Sequence, residues 1–400
     1  FVGIDLSQEE DEQQIFDTIN SLGVKLTTAE LLKNYFFNRD DIEKYNEYWK
    51  EVFEKDEETK NYWDREIIAG RLRRTFIDLF FFAYLQIKIQ ETDFKVKAED
   101  KDAYAKVEHL FESYKNFIKS YLNDNKEAIL SEIKEYALLF KKNFNYEILG
   151  EELTQDFGID RINTIIFGLD TTTLIPYTLY ILRNISDEAT KNELFGIIET
   201  YIMRRMITHS NTKNYNQLFT DKLINNRILS KQEFLDYIEK RDDKVNFLPT
   251  DDELEKGFNT SILINKQSAG ILYLIESKIR NEKDSTALLG INKYSLEHLM
   301  PKKWRNNWDK LSSKESEINR DRKLLTLGNL TIITQSLNSS IRDSKWEDKL
   351  KGKNKKGGLI EYSGGLKTIS QFLKYPEWDE KTIEERALFL YEKAKQIWKK

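Results

Sequence analysis

Apolar residues recur at three- and four-residue intervals along most of this chain, with lysine and glutamate between them. YKNFIKSYLND (114–124) and ILSEIKEYALLFKKNF (129–144) are typical. That period predicts amphipathic helices over nearly all of residues 46–255. Upstream, FVGIDL (1–6) reads as a strand. DEQQIFDTINSLG (11–23) reads as a helix with Ile15, Phe16 and Ile19 on one face, closing on Gly23. A second helix is predicted over TTAELLKNYFF (27–37), where Thr27 followed three residues later by Glu30 makes a capping box. Phe76–Ile87 is apolar on every side and predicts a buried helix; it is too short to cross a bilayer and contains Asp78. Leu174, Ile175 and Pro176 end one helix or begin the next.

From about residue 256 the pattern changes. SAGILYLIESKI (268–279) is a helix, but KYSLEHL (293–299) and LLTLGNLTIIT (324–334) are strand-like. A polar helix is expected over NSSIRDSKWEDKLK (338–351), a loop over GKNKKGGLIEYSGG (352–365) and a final helix over residues 381–400. The pattern divides the chain into 1–45, 46–255 and 256–400. The expected fold is mainly α: a helical bundle followed by a small α+β domain.

Composition narrows the chemistry. Four prolines and sixteen glycines in 400 residues favour long helices over a many-stranded sandwich. The absence of cysteine excludes disulfides and thiolate zinc sites. The three histidines are too widely spaced for an HxxxH-type metal motif, and neither GxGxxG nor GxxxxGK[ST] occurs. The net charge is −5, yet residues 291–360 hold 16 lysines and arginines against 8 acids, a local +8 that leaves −13 elsewhere. A basic segment in an acidic protein is a footprint for a polyanion. The expected setting is cytoplasmic, with no membrane partner. A start at Phe1 in a strand-like run implies an upstream portion.

One stretch of the basic segment carries chemistry. A strand with Glu297 and His298 precedes a strand entered through Gly328 and Asn329, and a helix opening at Asn338 follows. Hydrolysis of a phosphodiester needs a base for water and a counter-charge for the leaving oxyanion. A neutral imidazole at His298 suits the first task. The Glu297 carboxylate and the Asn338 carbonyl are hard oxygen ligands suited to Mg²⁺ (or Mn²⁺). Asn329 could bond backbone groups across the hairpin and hold His298 in place. On one continuous helix Arg342, Lys345 and Lys349 would fall within about 40° of Asn338, a basic face for a phosphate backbone. Lys302, Lys303 and Arg305 follow the histidine directly. Plainer roles compete: a histidine in a strand is usually structural, asparagine beside glycine forms turns, and Asn338 could be a helix cap.

YSLEHLMPKKW followed by LGNLTIITQSLNSSIRDSKWEDK resembles the nuclease domain of GmrSD-type modification-dependent (type IV) restriction endonucleases, of the HNH or His-Me finger superfamily. The resemblance rests on Glu297, His298 and Pro301, on Leu327–Thr331, and on Leu337–Ser339 with Trp346 and Lys349. Residues 377–398 resemble the family's final helix, 201–219 its helical middle, and 15–37 the end of its N-terminal NTP-dependent domain. The resemblance implies a ββα-metal core in which His298 is general base, Asn338 a metal ligand, Asn329 the bracing asparagine and Glu297 the acidic metal ligand. It implies a DNA endonuclease of bacterial defence against foreign or modified DNA, joined to an NTP-dependent domain of the same polypeptide. That domain's D-G-Q-Q-R-type motif is not in these residues, so any nucleotide would act only through the upstream part. Two other readings remain: a helical module that grips DNA without cutting it, and a nuclease acting on RNA.

Overall fold

The computed structural model describes residues 26–70, 72–240, 245–281, 283–284, 286–353 and 357–400. The expected strand at 1–6 and helix at 11–23 lie outside them. Among the described residues the fold is mainly helical with two small two-stranded sheets. The chain forms two compact units, residues 1–68 with 72–140 and residues 69–71 with 141–400.

In the first unit, α1 (Thr28–Phe36) opens with the expected box: the Glu30 amide donates to the Thr27 hydroxyl oxygen at 3.2 Å, and the Thr27 amide to the Glu30 carboxylate at 2.8 Å. Strands β1 (Glu66–Ala69) and β2 (Leu72–Thr75) interrupt the predicted helices. The β-branched pair Ile67–Ile68 and Gly70, at φ +67°, give this short sheet its turn, a signal too brief to register as a period. Helix α2 (Phe76–Lys88) is the predicted buried helix: every residue but Asp78 is buried. Trp49, Phe53, Trp63 and Phe140 pack round it, with Trp49 stacked on Phe81 at 5.7 Å. Helices α3 (Leu110–Tyr121) and α4 (Leu130–Asn143) show their apolar stripes.

The second unit is built round two central helices. After α5 (Ile175–Asn184), which takes Pro176 in its first turn where a missing N–H costs nothing, comes α6 (Glu188–Ile207), buried without a break from Leu194 to Arg205. Its buried charges are therefore paired. Arg161 grips Glu199 with two hydrogen bonds of 2.8 and 2.7 Å, and the indole N–H of Trp398 donates to the same carboxylate at 2.9 Å. Arg204 donates to Asp251 at 2.8 Å and to the Trp398 carbonyl at 2.7 Å. Helix α7 (Asp251–Thr260) precedes α8 (Asn265–Ile279), β3 (Tyr294–His298), α9 (Lys314–Lys323), β4 (Leu330–Thr334), α10 (Gln335–Ile341), α11 (Trp346–Lys351) and α12 (Glu380–Ile397). The borders expected after 45 and 255 are not breaks in packing. The second falls inside α7, which packs on both α6 and α12.

β3 and β4 pair antiparallel with Leu296 opposite Ile332 and His298 opposite Leu330. They pack on α8 and on α10. Two expected elements of this region differ. The polar helix of 338–351 is two helices: α10 starts at Gln335 under a Thr334 cap and ends at Ile341, and Arg342 turns the chain at φ +39° before α11. Asp343 and Ser344, which bond backbone groups readily outside helices, favour that break. Asn338 thus lies inside a helix and is not its cap. Leu359–Ser363, expected as loop, is a short helix.

Candidate functional site

Asn329 is the fixed point of this region. It is fully buried and uses its amide completely. Oδ1 accepts from the Met300 amide at 2.8 Å and from the Trp378 indole at 2.9 Å. Nδ2 donates to the carbonyls of Met300 and Leu324, both at 2.8 Å. The Leu299 amide adds a bond to the Asn329 carbonyl at 2.9 Å. The residues directly after His298 are therefore tied to the turn before β4, the bracing geometry expected of Asn329. That turn is held from behind by Arg386 of α12, whose guanidinium donates to the carbonyls of Leu327, Gly328 and Leu330 at 3.2, 2.8 and 2.7 Å. The contact needs glycine at 328, where a Cβ would lie 2.2 Å from the Ile383 carbonyl oxygen.

His298 ends β3. Burial, reinforced by the charges of Lys302 and Lys349, pushes its imidazole down to about 4, so it is neutral at pH 7. Among the described residues its ring makes no hydrogen bond. Lys349 donates to its backbone carbonyl at 2.8 Å.

Glu297 is placed otherwise than expected. Alternation along β3 sends its side chain to the face opposite His298, where the carboxylate is bonded to the Lys349 ammonium. Both groups are buried, and burial pushes Glu297 above the usual carboxylate range and Lys349 below the usual lysine range. Glu297 is thus a partner of Lys349 and not a free metal ligand. Nor is Lys349 a phosphate contact on an exposed helix face: its side chain is 0% exposed.

Asn338 donates from Nδ2 to the Ser295 hydroxyl at 3.0 Å and to the Leu296 carbonyl at 3.1 Å. The amide therefore sits against β3 two residues, about 7 Å along the strand, from His298. It opens on a cavity of about 530 Å³ whose walls do not include His298.

The expected cations divide. Lys302, Lys303, Arg342 and Lys345 are exposed and form no ion pair among the described residues. With the helix broken at Arg342, its guanidinium and Lys345 do not share one helical face with Asn338. Arg305 is committed, pairing with Glu317 at 3.0 Å and Asp321 at 2.9 Å and lying 4.4 Å over the Trp304 ring.

Mg²⁺ keeps several waters and is usually held through one or two carboxylates and a substrate phosphate. Here the carboxylate beside His298 is taken by Lys349, and no cluster of three or more histidine, aspartate or glutamate side chains suited to a metal exists among the described residues. Among the described residues the Asn338 Oδ1 is the one expected metal ligand left without a protein partner. The residues in this arrangement do not fit the expected cation.

Arg386, Trp378 and Ser295 carry no signal in the sequence: their partners in the site lie 43 to 59 positions away, with no motif linking them. Lys349 stands in the sequence pattern, but in another role than expected. No helix among the described residues is long and apolar enough to cross a membrane.

Comparison with curated proteins gives no match. Residues 248–393, which hold α8, both strands of the site, α10, α11 and most of α12, match the family model described as GmrSD restriction endonucleases, C-terminal domain. With the E-H-x-x-P and L-G-N-L-T segments locked together as above, this segment, less than half of the chain, is similar to the C-terminal domain of GmrSD restriction endonucleases.

Proposed function

We propose that this chain is a DNA endonuclease of the HNH type, with His298 as the base that activates water, serving cytoplasmic bacterial defence against foreign or modified DNA. The observation that carries the reading is the clamp on the segment after His298: one buried asparagine makes four side-chain hydrogen bonds, two of them with Met300, and so ties down the loop that follows a neutral imidazole whose ring makes no hydrogen bond among the described residues. A scaffold this closely tied suits a reacting group that must hold its position. An imidazole at about 4 is a weak base. A phosphodiester bound beside it brings a negative charge that opposes Lys302 and Lys349, raising basicity where the proton is taken. Lys302, Lys303, Arg342 and Lys345 are the cations free to hold that backbone.

The Glu297 carboxylate is engaged by Lys349 and is not offered to Mg²⁺ or Mn²⁺. The same engagement favours a second reading, a module that binds DNA without cutting it. One experiment separates them. Supercoiled plasmid, and in parallel a structured RNA, is incubated with the chain in Mg²⁺, Mn²⁺ or EDTA beside His298→Ala. A general base contributes about 10²- to 10⁴-fold, so the variant should lose nicking by at least 10²-fold with its melting temperature retained. Equal nicking by both proteins refutes the base role. Salt-dependent binding with no cleavage in any metal selects the second reading, and preferred cleavage of RNA reassigns the substrate. The upstream NTP-dependent domain of the same polypeptide is the proposed regulator.

A further inference from the structure

We infer that the cavity beside Asn338 is a binding site for a single nucleobase. Its volume, about 530 Å³, lies within the roughly 300–1,000 Å³ of small-ligand sites. Tyr146, Phe167 and Tyr294 supply aromatic wall; Asn292, Gln335 and Asn338 supply amides. The Tyr146 and Phe167 rings lie 5.6 Å apart and are tilted by 56°. Asn292 and Gln335 are exposed and make no hydrogen bond among the described residues, and Asn338 has Oδ1 to offer once its Nδ2 is engaged. Lys266 is the single ionisable side chain of the wall apart from the two tyrosines, and it is paired with Asp170 at 2.5 Å. A wall whose one charge is shared with Asp170 in a half-exposed ion pair offers little to a phosphate or a metal ion. Amides that can both donate and accept, set among aromatic rings, suit a neutral planar heterocycle with a hydrogen-bonding edge.

The position strengthens the assignment. The cavity shares Asn338 and the start of β3 with the candidate centre, while His298 ends the same strand. A base unstacked from a strand could enter here with its backbone passing toward His298. That source of the base rests on the nuclease reading above; a free nucleotide is the other source.

Photocrosslinking tests it. The full chain in EDTA is irradiated with a single-stranded oligonucleotide carrying one 5-iodouracil and, separately, with 5-iodouridine monophosphate, and crosslinked peptides are mapped by mass spectrometry. The expected crosslinks fall on peptides containing Tyr146, Phe167 or Tyr294, and fall about tenfold in an Asn292→Ala/Gln335→Ala double variant through loss of two hydrogen-bonding groups. Crosslinking by the oligonucleotide assigns the base to a strand, and by the mononucleotide alone to a free nucleotide. Crosslinks confined to 302–305 or 342–345, none with either probe, or a yield unmoved by the double variant overturn the inference. Because no cleavage is involved, failure of the His298→Ala comparison sinks the nuclease reading and leaves this result standing.

Discussion

Replacing Lys349 by methionine gives the sharpest test of how this site is held together. The substitution keeps most of the aliphatic stem and removes the ammonium that bonds Glu297 and the His298 carbonyl. A carboxylate left alone in a dry setting costs several kcal/mol as an ion, so it takes a proton instead. Protonation at pH 7 sets a ceiling. From an ordinary value of 4.5 the interval is two and a half pH units at about 1.4 kcal/mol each, or about 3.5 kcal/mol. The lost bond to the His298 carbonyl adds about 1 kcal/mol. The sign follows from proton counting. The folded variant holds a proton on Glu297 that the unfolded chain has released above 4.5, so this part of its deficit grows with pH and vanishes below 4.5, leaving the loss of the carbonyl bond. Urea unfolding of wild type and Lys349→Met should differ by about 4–5 kcal/mol at pH 7 and by about 1–2 kcal/mol at pH 5. A Glu297→Leu/Lys349→Met double variant should recover most of the loss, since an apolar pair of similar volume replaces a buried ion pair at little cost. A pH-independent deficit, or one below about 1 kcal/mol at pH 7, would show that the two groups are solvated and that the buried pairing is wrong.

Asn329→Ala removes four hydrogen bonds in one buried place and should destabilise the protein by about 3 kcal/mol or more; thermal unfolding reads this, and a loss under about 1 kcal/mol contradicts the clamp. His298 is neutral in the folded protein down to about 4 but takes a proton near 6.5 when unfolded. Between those values the unfolded chain binds the extra proton, so stability should fall by up to about 3 kcal/mol as pH drops from 6.5 to 4. His298→Asn should flatten that slope in acid titrations followed by circular dichroism. Binding of DNA should weaken with Lys302→Ala and Arg342→Ala, each lowering the salt slope by about one, while Arg305→Ala, already committed to Glu317 and Asp321, should leave that slope unchanged in fluorescence anisotropy.

The sequence by itself determined the helices, because an apolar stripe at helical spacing is a local property of the chain: α1 with its Thr27 cap, the buried α2, and the final helix α12 are legible without coordinates. It also determined the two strands of the site, and it marked Asn329 beside Gly328, before a β-branched run, as a turn residue whose amide seeks backbone partners. Tertiary structure alone decided which charges are free. Lys349 and Arg342 look alike as basic residues in a polar helix, yet a break at Arg342 exposes the one, and pairing with Glu297, 52 positions away, buries the other. Burial and pairing are relations between distant segments, which no local period records. The same reason hid Arg386 behind the turn and joined α7 to a core begun by α6. Helical spacing says which face of a helix is buried; only the folded chain says against what.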